Sequence, residues 1–225
     1  MLLCLVLLSG CQAQGVRDFW TTHDIDYTDI AAAEDRFADY AELAVASPQE
    51  EALASLDALF DLMKQDEVGY YIYSGWMDAA FYNLLSPCRN AGLYGKAVDR
   101  MAADGILSAD ECKPFLQKKA WVQRNLKGQK ADVPGVEVSE RTLVLVLNLG
   151  CPSCREALDA LSASPQWAEC RHVAIGCGPG EPPSVPGWEY FFPKNAPEVF
   201  DPELTPVYFV VSADGTVEVP YTLAL

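Results

Sequence analysis

From Thr142 to Leu149 the chain reads Thr-Leu-Val-Leu-Val-Leu-Asn-Leu, an apolar run without polar–apolar alternation. A strand that is apolar on both faces belongs inside a sheet covered on both sides, usually a parallel one. Gly150 follows, then Cys151-Pro152-Ser153-Cys154, and Arg155 to Ala163 has helical spacing. Val173 to Gly176 is a second apolar strand, and the Pro- and Gly-rich stretch from Gly178 to Gly187 reads as loop. Val207 to Val211 makes a third strand, Asp214-Gly215 a hairpin turn, and Val217 to Val219 a fourth. The order β-α-β-loop-β-β, a parallel crossover followed by an antiparallel hairpin, sets residues 129–225 in the α/β class.

Ahead of this part the pattern is helical, and residues 29–128 are expected to form an all-α domain. Ile30, Ala33, Phe37, Tyr40 and Ala44 share one face at helical spacing. Ser47-Pro48-Gln49-Glu50 reads as a helix start with a capping box, and Leu53, Leu56, Phe60 and Met63 follow on one stripe. An aromatic-rich segment spans Gly69 to Leu85, where core is the expected role and a ligand groove the alternative. Two more helices are expected, from Ala91 to Ala103 and from a cap at Ser108 and Glu111 to about Leu126. Gln129 to Gly135 is a polar link.

The formal charge of −16, from 32 acidic and 16 basic residues, repels phosphate backbones and anionic headgroups. Nucleic acid is therefore not an expected partner. Nine Phe, five Trp and ten Tyr supply enough apolar bulk for a packed core, which argues against disorder. Met1 to Leu8 is a short apolar run, too brief to span a bilayer, and reads as an export signal. Leu8-Ser9-Gly10-Cys11 resembles the lipobox of bacterial lipoproteins. By that resemblance residues 1–10 are removed and Cys11 carries the lipid that holds the protein to the membrane; residues 11–28, that cysteine and a polar stretch, are expected to be the tether. An ordinary cleaved signal peptide is the alternative. Both place the mature chain in the periplasm or cell envelope, where disulfides persist.

Cys151 and Cys154 carry the clearest chemistry. At a helix N-terminus the unpaired N–H groups favour negative charge, which gives the first cysteine thiolate character. The thiolate is the attacking species in disulfide exchange, and a second cysteine one turn on can resolve the mixed disulfide. Zinc is the rival reading, but it asks for four ligands and the remaining cluster is Cys170, His172 and Cys177. Cys170 and Cys177 lie roughly 23 Å apart along an extended strand and do not chelate together. No metal or other cofactor is expected. Cys177 falls near the CxxC edge of the sheet, either as a third redox thiol or, the blander reading, as a half-buried free cysteine. Cys170 is assigned no role, and His172 is read as structural. Cys88 follows one helix and Cys112 opens another, which leaves a structural disulfide between them as an expectation.

Thr205-Pro206, directly before the strand Val207–Val211, completes a pattern. CxxC after a buried strand, a proline before the next antiparallel strand and a closing hairpin resemble the TlpA/ResA-like branch of the thioredoxin superfamily. Ser86-Pro87-Cys88-Arg89-Asn90, Leu93-Tyr94, and Val199-Phe200-Asp201 through Thr205-Pro206-Val207-Tyr208-Phe209 extend the likeness. They are similar to bacterial thioredoxin-like lipoproteins with an N-terminal helical domain. The resemblance implies a thioredoxin-like fold, here reduced and without its last helix, and a cis peptide bond at Pro206. It implies thiol–disulfide oxidoreductase activity on protein thiols and disulfides, with an unidentified redox partner. Cys151 would be the nucleophile, Cys154 the resolving thiol, and Thr205 with Pro206 the pair that orients the substrate. A thioredoxin fold without turnover, serving as a binding or scaffold module, is the alternative. Two family features are absent: Leu145 stands where a buried acid is usual in thioredoxins, and Ala157, beside Glu156, where a helix Glu is usual in ResA-like proteins. The Pro/Gly loop leaves little room for the usual helix between the second and third strands, and one sheet face is expected to be less covered.

Overall fold

The structure, a computed structural model, describes residues 15–149, 151–178, 180 and 185–224. Cys11 and the expected signal and lipidation site lie outside the described residues. Packing divides the chain into two compact units, 1–76 and 77–225. The division falls between Trp76 and Met77, not at the change of composition near Gly128.

The first unit is helical. After a 3-10 turn at Val16–Asp18 come α1 (Phe19–Thr22), α2 (Ile30–Ala46), α3 (Gln49–Met63) and most of α4 (Glu67–Met77). Asp29 caps α2 by accepting a hydrogen bond from the Ala32 amide at 3.2 Å. Ala33, Phe37, Tyr40 and Ala44 are buried as their spacing requires, whereas Ile30 at the helix start is exposed. Ser47 does not cap α3: its hydroxyl turns back to the Leu43 carbonyl at 2.7 Å, and Pro48 holds the cap position. The expected tether needs correcting too. Val16, Phe19 and Trp20 are buried, and the Trp20 ring lies 5.0 Å from Tyr40 and 6.0 Å from Tyr73. Three apolar side chains among polar ones are too few to show a period, yet they are large enough to be worth burying.

In the second unit α4 gives way to a π-helical turn, Asp78–Tyr82, followed by α5 (Ala91–Asp104) and α6 (Ala109–Val122). Gly105, at φ 73°, closes α5 in the left-handed conformation that favours glycine. Ser108 and Glu111 form the expected capping box on α6. Then follow β1 (Thr142–Asn148), α7 (Pro152–Ser162), β2 (Arg171–Cys177), β3 (Trp188–Phe191), the short α8 (Ala196–Val199), β4 (Val207–Val211) and β5 (Val217–Leu223). The sheet order is β3-β2-β1-β4-β5. β1 lies at its centre, parallel to β2 and antiparallel to β4. β3 was not foreseen: four residues at a sheet edge, directly after a Pro/Gly loop, give too little pattern to separate from that loop. β3 pairs parallel with β2, and the Arg171 guanidinium holds the Glu189 carboxylate at 2.7 Å across the pair.

Both faces of β1 are buried, as its composition demands. Leu143, Leu145 and Leu147 pack with Ala157, Leu158 and Leu161 of α7 on one side. Val144 and Val146 pack with Val199, Phe200 and Phe209 on the other. That second face is not left bare. Trp121 of α6 donates its indole N–H to the Pro197 carbonyl at 3.0 Å, and the Tyr82 hydroxyl donates to the Asp201 carboxylate. The segment read as a link is held to the sheet as well. Gly128 and Ala131 donate their amides to Val217 and Gly215 at 2.9 Å each, and Asn125 donates to the Tyr221 hydroxyl at 2.7 Å. None of the helices among the described residues is long and apolar enough to cross a membrane.

Candidate functional site

The change from β1 to α7 places the two cysteines. Cys151 is the N-cap of α7 with extended backbone (φ −96°, ψ 120°), and Pro152 starts the helix with no N–H to lose. The Cys151 amide donates to the Asn148 carbonyl at 3.0 Å, and the Cys154 amide to the Cys151 carbonyl at 3.2 Å. Cys151 is half-buried, while Cys154, one turn on, is buried at 2% exposure. The accessible thiol is thus the first and the protected thiol the second.

Their electrostatics differ in the same sense. Cys151 Sγ lies 2.9 Å from Ser153 Oγ, and this contact is the main cause of a Cys151 pKa below the ordinary thiol value. The Cys154 thiol and the amides of Cys154 and Ser153 add to it, against the opposing effect of partial burial. Cys154 is pushed up to about 11, by burial first and by its hydrogen bond with Cys151 second. The spacing of the motif assigns Ser153 no role. The available signal was a hydroxyl inside the motif.

Thr205, directly ahead of β4, reaches Cys154 with its side chain. The Thr205–Pro206 peptide bond is cis. The Thr205 hydroxyl donates to the Pro202 carbonyl at 3.0 Å and also lowers the pKa of Cys154, against the larger effect of burial. Beneath Cys154 the packing is apolar. Leu145 and Ala157 are buried in its cluster and Glu156 is exposed, so neither substituted position brings a carboxylate to the thiol.

The remaining cysteines stand apart from this site. Cys177 is fully buried rather than half-buried, and it belongs to the opposite face of the sheet with Val173 and Ile175. Burial, then the charge of Asp201, pushes its thiol up to about 12. Cys170 accepts a hydrogen bond from the Arg141 guanidinium at 3.5 Å. His172 pairs through Nε2 with the Trp167 carbonyl at 3.0 Å and lies against Trp188, a structural role. The Cys88–Cys112 disulfide is absent. Both side chains are buried, and the Cys112 thiol donates to the Met101 carbonyl at 3.6 Å. Among the described residues no group of three or more His, Cys, Asp or Glu could hold a metal ion.

No family model and no curated protein matches the sequence. A solved structure does: a thioredoxin-like protein from Bacteroides caccae superposes with a TM-score of 0.72 at 19% identity, over 93% of this chain and 87% of that one. Strand order, helix placement and this likeness agree that the chain carries a thioredoxin-like fold with helices ahead of it.

Proposed function

We propose that the protein is a thiol–disulfide oxidoreductase of the cell envelope, tethered by a lipid on Cys11, that acts on protein disulfides through Cys151 and Cys154. One observation carries the reading: a half-buried thiol of lowered pKa sits beside a buried thiol raised to about 11, with Thr205 at the buried one. In the reducing direction the Cys151 thiolate attacks one sulfur of the substrate disulfide and forms a mixed disulfide, releasing one substrate thiolate. Cys154 then gives its proton to solvent, and its thiolate attacks the Cys151 sulfur. The second substrate thiolate leaves, a Cys151–Cys154 disulfide forms, and two electrons have passed to the substrate. A dithiol donor reverses these steps on the enzyme and restores the pair. Thr205 and Pro206 supply the backbone edge along which an extended substrate segment lies.

Reduction of insulin disulfides by the purified protein, with dithiothreitol as donor, tests this. Turnover that depends on Cys151, and a covalent complex with insulin that accumulates in Cys154→Ser, are the expected results. A wild-type rate equal to that of dithiothreitol alone would leave the fold as a binding module.

A further inference from the structure

We propose that Tyr82 and Asp201 are positioning residues for the exchange site: their buried hydrogen bond holds the turn that delivers Thr205 and Pro206 to the cysteines. The inference rests on the thiol–disulfide reading and adds a specific job for the helices of the second unit.

Tyr82 and Asp201 lie 119 residues apart, at 4% and 7% exposure. The Tyr82 hydroxyl donates to one carboxylate oxygen of Asp201, and the Glu203 amide donates to the other at 2.8 Å. Asp201 thereby caps the 3-10 turn Pro202–Leu204, whose Pro202 carbonyl accepts the Thr205 hydroxyl at 3.0 Å. From the carboxylate to Thr205 the chain of contacts is unbroken. Tyr82 is itself braced. Its ring lies tilted against Tyr94, centroids 5.1 Å apart, the Lys118 ammonium lies 5.1 Å over its face, and Tyr94 and Lys118 both donate to Asp78, at 2.7 and 2.6 Å. The Arg89 guanidinium donates to the Tyr82 carbonyl at 3.2 Å. Burial first, and the bond to Asp201 second, hold the phenol protonated far above its ordinary range, so it remains a donor. A buried carboxylate without a charged partner is costly unless hydrogen bonds satisfy it. Spent only on stability, the place could hold an apolar pair at no such cost. What the polar pair adds is direction, because it fixes one turn in one orientation.

Removing the hydroxyl should therefore loosen the edge that receives substrate while leaving the thiols as they are. In Tyr82→Phe the KM for insulin should rise on the order of tenfold with little change in kcat, the signature of lost substrate positioning. Reduction of a small aromatic disulfide such as dithiobis-nitrobenzoate, and the pH dependence of Cys151 alkylation, should match wild type. Asp201→Asn, whose amide can still pair with Tyr82, should raise KM less. Val211→Ala, in the core of the same sheet face, serves as the control for mere destabilisation. An unchanged KM in an active, folded Tyr82→Phe protein overturns the positioning role alone, and so does an equal rise in Val211→Ala. Wild-type protein that reduces neither substrate overturns the underlying function instead.

Discussion

The two faces of the central sheet divide the chemistry between them. On the α7 face lie the two thiols of the motif, over Leu145, Leu147 and Leu158, with no carboxylate among the buried residues of that cluster. On the opposite face lie Cys177, Phe200 and the Asp201–Tyr82 pair, where a buried carboxylate coexists with a thiol raised to about 12. A charge packed beneath Cys154 would move the pKa of that buried thiol. The same charge on the far face orders a turn and leaves the reactive pair to its own hydrogen bonds. The contrast teaches that position along the strands is not enough: Asn148 and Cys177 are register partners, yet Cys177 lies on the side away from the motif.

The contrast breaks if both faces contribute thiols. Cys151→Ser should bring insulin reduction down to the rate of dithiothreitol alone, while Cys177→Ser keeps most of the wild-type rate. A comparable loss in Cys177→Ser would mean that the sheet does not separate the thiols. Truncating the apolar support is expected to act on stability. Leu158→Ala removes a fully buried side chain from the α7 face and should cost about 2–5 kcal/mol by denaturant titration. A value below about 1 kcal/mol would mean that α7 is not packed on β1 as described. A subtler effect concerns protons. Because the Ser153 contact is the main cause of the lowered Cys151 pKa, Ser153→Ala should move the midpoint of Cys151 alkylation to higher pH. Cys154 should stay unreactive until the pH approaches about 11. The smallest change is expected at the sheet edge. Glu189→Gln loosens the ion pair with Arg171 that joins β3 to β2, and with Glu189 half exposed it should cost under about 1 kcal/mol.

Much of this arrangement could be read in the sequence because it is local. The run from Thr142 sets a doubly buried strand, the following CxxC begins a helix, and Asp214-Gly215 turns a hairpin in which Gly215 adopts φ 81°. Each is decided within a few residues by side-chain size, capping or backbone freedom. The readings that needed revision depended on distant partners. The residues from Gly128 onward read as a free link because the acceptors that hold Gly128 and Ala131 to the sheet, Val217 and Gly215, lie far along the chain in the closing hairpin. Val16, Phe19 and Trp20 looked like tether because their neighbours belong to later helices. A pairing of Cys88 with Cys112 looked plausible from order along the chain alone.

By itself, then, the sequence determined a central strand buried on both sides, a pair of cysteines at a helix start and a proline before the next strand. Each follows from short-range chemistry: apolar periodicity, the exposed amides of a first helical turn, and the fixed φ of proline. The tertiary structure alone decided that helices from before the sheet cover its second face. It also decided that Ser153 rather than an acid tunes Cys151, and that Tyr82 reaches Asp201 across 119 residues. Such contacts are set by how sheet and helices close on one another, and no local pattern encodes which distant side chain fills a given place.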